Sequence, residues 1–207
     1  MSDLHITVKG QKRLLTAGKR HTHNIVVTAE GGDDYYDAFW DAFQEYGSRV
    51  DYSAAFYNIG WTDASYNPKY DIIATESANN LFAYSRITDT KKTINIANAK
   101  KSHGIFEACY LLKTIRKIVV SEELALTNFV YDCIRLENIT VEGTIGQSIA
   151  FAQSSLLTTA SVNSIINALK DLAGATAQTL TFHADVGGKL TDAQKATITA
   201  KNWTLVY

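Results

Sequence analysis

The chain has 207 residues, of which 46% are hydrophobic and 20% are charged, a composition that excludes an intrinsically disordered protein. Lysine and arginine number 20 and aspartate and glutamate 21, so the formal charge is −1. Because there is no basic excess to neutralise phosphates, nucleic-acid binding is not expected. No apolar run approaches the roughly 20 residues that cross a bilayer. The first residues also lack a secretory signal, so we expect folding in a cytoplasm without membrane insertion.

A small N-terminal β module is predicted at residues 1–30. Three β-like segments, residues 4–9, 12–16 and 24–28, are separated by turns at Gly10 and at Ala17-Gly18. The pair Gly31-Gly32 then separates this module from the next element.

An aromatic-rich helical cap is predicted at residues 31–80. Its helix is expected at residues 35–46, where apolar side chains recur at i, i+3, i+4 and i+7 in Tyr36, Phe39, Trp40 and Phe43. Residues 47–80 are irregular and contain many aromatic side chains. A repeat protein needs such a cap, because an open end would expose its core to water.

The rings of this cap that stay exposed are the candidate partner-binding residues. Tyrosine and tryptophan provide rigid, amphipathic contact area for sugars or protein partners. The candidates are Tyr52, Tyr57, Trp61, Tyr66 and Tyr70. For each ring the alternative is packing in the core of the cap. Trp61 is the first choice, since it has the largest face and follows Gly60, where the backbone can turn.

A repeat of 24 residues follows the cap. The segment at residues 105–115 returns at residues 129–139, with Cys109 and Cys133 in the same position, and a fainter copy at residues 81–87 has Ser85 there. This period lies in the range of leucine-rich repeats, roughly 20–29 residues. Repeats of that kind stack strands into a parallel sheet and offer a surface, which favours a binding or structural protein over an enzyme.

The predicted fold class is α/β, a leucine-rich-repeat-like solenoid with parallel strands over residues 81–207 that ends in a strand-helix-strand cap. Strands are expected at residues 93–96, 117–120, 138–141, 148–151, 179–182 and 203–207, and helices at residues 158–172 and from the N-cap Thr191 to residue 200. The repeat positions predict one continuous core that contains Phe106, Cys109, Leu112, Ile115, Cys133, Leu136 and Ile139. The stacked cysteines could form a disulfide, but two small buried thiols are the expected outcome.

The repeat also carries a family resemblance. Residues 106–115 contain an aromatic, a cysteine and Leu-x-x-Ile, and this segment resembles the BspA-like class of leucine-rich repeats. Residues 143–151, 157–169, 189–195 and 201–205 resemble the cap that ends such repeats in bacteriophage and prophage virion proteins. Residues 14–19 and 24–27 are similar to a short N-terminal module of tail-associated and fibre-like phage proteins. The resemblance implies a virion protein that is made in the host cytoplasm.

Candidate chemistry is weak along the whole chain. His21 and His23 could present two imidazoles to a metal, but a solvated turn is the expected setting, and His5, His103 and His183 lack ligand spacing. Residues 143–148 lack the nucleophile elbow and the phosphate-loop lysine. The acidic residues of the first predicted helix are explained by its cap and its solvated face. We therefore expect no catalytic residue, metal or cofactor.

These observations lead to the hypothesis of a non-enzymatic structural protein of a phage particle. It would dock through residues 1–30 and present its repeat-built surface, with other virion proteins as partners and a host surface glycan or protein as a further candidate. A homo-oligomer is expected, and tail, baseplate and capsid decoration stay open as locations. The alternatives are a bacterial surface adhesin or interaction protein and, second, a glycan-active enzyme.

Overall fold

The computed structural model describes residues 52–58, 66, 68 and 71–207. The β module predicted at residues 1–30 and the helix predicted at residues 35–46 lie outside these described residues. The elements in chain order are β1 (Ile72–Ile73), β2 (Thr93–Asn95), β3 (Thr114–Val120), β4 (Asn138–Gly143), β5 (Ile149–Phe151), α1 (Thr159–Ala168), β6 (Gln178–Phe182), α2 (Ala184–Gly187), α3 (Asp192–Ala200) and β7 (Trp203–Val206).

The strands of the described chain form two parallel sheets. β1, β2, β3 and β4 make a four-stranded sheet in sequence order, and β5, β6 and β7 make a three-stranded sheet. The predicted α/β class with parallel strands is therefore confirmed. The pairs Thr93–Lys117 and Thr114–Asn138 follow the sequence period. A bulge between Ile115 and Ile118 then shortens the spacing by one residue.

A second stack of backbone hydrogen bonds joins the turns of successive layers. We name it the turn ladder, and it comprises residues 52–58, 78–84, 102–108 and 126–132. Alternate amides of one turn donate to the next turn, as in Phe56 N to Leu81 O at 2.7 Å, Phe82 N to Ile105 O at 2.8 Å and Phe106 N to Phe129 O at 3.0 Å. On the last rung Asp132 N donates instead to the side chain of Gln153 at 3.2 Å. The layered arrangement thus extends back to residue 52 and satisfies the backbone of each turn.

Each rung of the turn ladder has two residues with left-handed backbone, four positions apart. They are Ala54 and Asn58, Asn80 and Tyr84, Gly104 and Ala108, and Asn128 and Asp132. Asparagine, aspartate and glycine tolerate this conformation, whereas other side chains adopt it at a cost of roughly 1–2 kcal/mol. The regular spacing lets each turn reverse tightly and return to the next strand.

A spine of six phenylalanine rings runs through the core of both sheets. The ring centroids of successive members are 4.9, 5.4, 5.6, 6.4 and 5.9 Å apart along Phe56, Phe82, Phe106, Phe129, Phe151 and Phe182. All six side chains are buried. Offset and edge-to-face ring pairs of this kind add about 0.5–1.5 kcal/mol each to the area they bury. The spine connects the layers that the two sheets form.

The predicted core positions are confirmed. Phe106, Cys109, Leu112, Ile115, Cys133, Leu136 and Ile139 are all buried in one hydrophobic cluster. Both cysteines are free thiols, as expected, and each donates to the carbonyl of a spine phenylalanine one layer earlier at 3.0 Å. Burial raises the pKa of the Cys133 thiol, and its hydrogen bond with Cys109 raises it further. The thiol is therefore a packed, neutral group.

Two helices beside the second sheet, α1 and α3, overlap the helices that the sequence predicts at residues 158–172 and 191–200. Thr191 begins α3 with a reciprocal capping box to Gln194. Lys201 lies beyond α3, and its ammonium donates to three carbonyls at the end of α1, those of Ile166, Asn167 and Leu169, at 3.0, 3.1 and 2.7 Å. The carbonyl of Ile166 also accepts from Leu169 N at 3.3 Å, and the lysine provides a donor to the other two carbonyls at this end of α1.

Two glycines allow the layers to approach closely after β4. At Gly143, where φ is +89°, a Cβ would lie 2.0 Å from the carbonyl oxygen of Val120. At Gly146 a Cβ would lie 2.3 Å from the carbonyl oxygen of Glu122. Both positions require glycine because backbone occupies the space of a side chain.

Candidate partner-binding surface

The sequence candidates fall into three groups. The rings of Tyr52 and Tyr66 are buried, and the hydroxyl of Tyr66 donates to Thr90 O at 3.0 Å. Burial raises the pKa of both hydroxyls above the ordinary value for tyrosine. Trp61 and Tyr70 lie outside the described residues. Tyr52 and Tyr66 are therefore core residues, and Tyr57 is the described candidate that presents its ring to solvent.

Tyr57 belongs to a row of exposed tyrosines on the turn ladder and beside it. Its ring centroid lies 5.4 Å from that of Tyr84, with the planes tilted by 55°. Tyr57, Tyr84, Tyr110 and Tyr131 are exposed by 45%, 43%, 49% and 47%. We name these four residues the tyrosine strip. Ile134, 48% exposed, extends the strip with an apolar side chain.

The turn geometry explains why these rings are exposed. Tyr57 follows the buried Phe56, and Tyr110 follows the buried Cys109. Phe56 and Tyr57 are adjacent in sequence, yet one ring is buried and the other is exposed, so the chain reverses its facing within one residue at this point of the turn.

Two carboxylates give this surface its electrostatic character. The charge of Glu107 is the largest cause that raises the pKa of Tyr84, followed by slight burial and then by Tyr57, Tyr110 and Asp132. A carboxylate raises the pKa of a phenol by disfavouring its anion. Tyr84 is therefore the member of the strip that lies close to Tyr57, to Tyr110 and to both carboxylates.

The backbone of Tyr84 is unusual as well. Its φ is +61°, a conformation in which a bulky residue is a genuine outlier. The equivalent positions of the other rungs carry Asn58, Ala108 and Asp132, which are smaller. An exposed ring recovers little burial energy to offset the strain. Outliers of this kind concentrate at functional positions, so Tyr84 is the centre of the candidate surface.

Other surface features of the described chain offer less to a binding partner. A shallow depression of about 240 Å³ is lined by Lys100, Lys101 and His103 among others, but Lys100 is already paired with Glu76 at 2.9 Å. A smaller one of about 120 Å³ lies between α1 and α3. Within the described ranges, side chains of histidine, cysteine, aspartate and glutamate form no group of three that could hold a metal. None of the described helices is long and apolar enough to cross a bilayer.

Comparison of the chain with protein-family models, with curated proteins and with solved structures finds no match in any of the three.

Sequence reasoning found Tyr57 and missed the other three members of the strip. Tyr84 and Tyr110 were assigned to the repeat without a direction for their rings. Tyr84 precedes Ser85 and Tyr110 follows Cys109, so both flank the buried position of the repeat. That position alone does not predict exposure, because Ala108 also precedes Cys109 and is buried.

Proposed function

We propose that the protein is a non-enzymatic structural component of a phage particle that binds a macromolecular partner through the tyrosine strip. Its body would be a solenoid of leucine-rich-repeat type, and residues 1–30 would attach it to the particle. The observation that supports binding best is the grouping of exposed rings around a strained Tyr84. Exposed aromatic clusters are the usual centres of binding energy at protein interfaces.

The repeat arrangement supports a binding role in a second way. Stacked layers present equivalent positions at regular intervals, so side chains of successive turns form an extended surface instead of a closed pocket. The tyrosines come from four turns of the chain, which suits a partner that extends along the layers. The phage context is supported by the sequence resemblance at residues 1–30 and 80–207.

The test of the phage role is mass spectrometry of purified particles. Particles from cells that produce the protein should contain the chain at a fixed copy number relative to the major capsid protein. Particles without the chain would refute the phage role. A chain recovered instead from the bacterial surface would support the adhesin alternative, and hydrolysis of a glycan by the purified protein would support the enzyme alternative.

The test of the strip uses Tyr84→Asn. Asparagine tolerates left-handed backbone, so this variant removes the ring and relieves strain of roughly 1–2 kcal/mol. Its melting temperature should be unchanged or raised, while its attachment to the partner should weaken. Tyr207→Asn is the matched control, because Tyr207 is also exposed, by 53% against 43% for Tyr84, but lies at the C-terminal end. Equal binding by the two variants would exclude the strip from the function.

A further inference from the structure

The acidic residues of the tyrosine strip suggest which chemistry it binds. Glu107 and Asp132 lie on the two rungs that follow the rung of Tyr84, and backbone hydrogen bonds join these rungs, from Tyr84 N to Glu107 O at 2.8 Å and from Ala108 N to Tyr131 O at 2.7 Å. The charge of each carboxylate also raises the pKa of the Tyr84 hydroxyl. The exposed Arg86 and Arg135 lie on the same turns, so the two carboxylates act as individual groups beside the rings and not as a wide negative field. Aromatic faces and carboxylates in one place attract a positive group for two reasons, the ring quadrupole and direct charge.

The carboxylates keep capacity for a ligand. In the described chain, the Glu107 carboxylate lies 3.9 Å from His103 Nε2. This long contact is an ion pair only when the histidine is protonated. Asp132 forms no ion pair with another residue of the described chain, and its contact with Gln153 uses its backbone amide. In contrast, Asp89 is bound by the guanidinium of Arg116 at 2.6 Å. The strip therefore differs from acidic residues such as Glu76, Asp89 and Glu142, each of which is paired with a lysine or an arginine.

We propose that the tyrosine strip receives cationic side chains, arginine above all, from a basic segment of a partner protein. The guanidinium group fits this surface, because it stacks on aromatic rings and donates in the plane to carboxylates at the same time. The inference rests on the proposed function of the strip and adds the chemical class of the partner. A neutral glycan would stack on the rings and could donate hydroxyl groups to the carboxylates, but it would lack the charge attraction that a guanidinium adds.

The experiment measures fluorescence anisotropy of labelled octa-arginine and of an uncharged Gly-Ser octapeptide with the full chain at pH 8, where histidine is neutral. Octa-arginine should bind and the uncharged peptide should not. Glu107→Gln should weaken octa-arginine binding about tenfold, the loss of one charge-assisted contact, whereas Glu123→Gln should change it less than about twofold. Glu123 is an exposed glutamate outside the strip and provides the matched control.

Arg86 provides a test of opposite sign. It is exposed and lies two residues after Tyr84, so its positive charge opposes the approach of a cation to this turn. Arg86→Gln should leave octa-arginine binding unchanged or tighten it. Weaker binding by Arg86→Gln, or equal effects of Glu107→Gln and Glu123→Gln, would overturn the cationic assignment.

The same variants separate this inference from the proposed function. If Tyr84→Asn weakens attachment to the partner while Glu107→Gln leaves it unchanged, the strip binds but its ligand is not cationic, and tight binding of a neutral glycan would identify the alternative. If both variants keep full attachment, the strip and the cationic inference fail together. Reduced attachment by both variants, with unchanged melting temperatures, supports both.

Discussion

Phe106→Ala tests the phenylalanine spine at its centre. The side chain is fully buried, and its ring lies 5.4 Å from Phe82 and 5.6 Å from Phe129. A buried phenylalanine removes about 150–250 Å² from water, worth about 4–6 kcal/mol at 25 cal/mol per Å². Alanine retains part of this area, and the expected loss in the free energy of unfolding is about 3–5 kcal/mol. That loss is a large fraction of the total stability of a domain, about 5–15 kcal/mol.

Urea denaturation followed by circular dichroism and tryptophan fluorescence measures this loss. The transition midpoint should fall while the slope stays near that of the wild-type chain, because the surface exposed on unfolding is almost the same. Tyr110→Ala is the control, since Tyr110 is exposed and its replacement should change stability by less than about 0.5 kcal/mol. A loss below about 1 kcal/mol for Phe106→Ala would refute the continuous spine.

Three further predictions concern close approach, helix capping and thiol burial. Gly143→Ala should cost about 2–4 kcal/mol by thermal or urea denaturation, because a Cβ there would overlap backbone, whereas Gly174→Ala, with positive φ but open space, should cost only about 1 kcal/mol. Equal losses would show that the close approach is absent. Lys201→Met should lower stability by about 1–2 kcal/mol through the carbonyls left at the end of α1, and an unchanged melting temperature would contradict the cap. Burial of Cys109 and Cys133 predicts that Ellman's reagent labels neither thiol in the folded chain at pH 8 and both in denaturant, so rapid labelling of the folded chain would contradict it.

The periodic part of the fold could be predicted from the sequence because one spacing controls several properties. Cys109 and Cys133 fix the register, so the adjacent strands β3 and β4 and the buried positions follow from the same 24-residue interval. The capped helix α3 was found for a local reason, the hydroxyl of Thr191 three residues before Gln194.

Strand β1 and the end of helix α1 were not predicted, for identifiable physical reasons. β1 has two residues and no cysteine nearby, so its segment seemed irregular. α1 ends at Ala168, four residues before the predicted end, because Leu169 is extended and pairs with Ile145 in a parallel bridge. The apolar pattern continues through Leu172, but those side chains are buried by tertiary contacts rather than by a helix face.

The candidate surface was the least predictable feature. Whether a tyrosine faces the core or solvent depends on one step along a tight turn, as the exposed Tyr84 between the buried Ala83 and Ser85 illustrates. The turns use left-handed backbone at Ala108 and Tyr84, where sequence rules expect glycine or asparagine. A single sequence therefore indicated that aromatic residues were numerous but not which of them reach the surface.

The central claim is that the tyrosine strip binds the partner while contributing little to the fold. The most direct measurement compares wild-type and Tyr84→Asn chains for attachment to purified particles or host surface, together with their melting temperatures. For the Tyr84→Asn chain we expect an unchanged or higher melting temperature and attachment at least about tenfold weaker than that of the wild type, which is the scale of a binding hot spot. Full attachment of the Tyr84→Asn chain, or weaker attachment that accompanies a large fall in melting temperature, would contradict it.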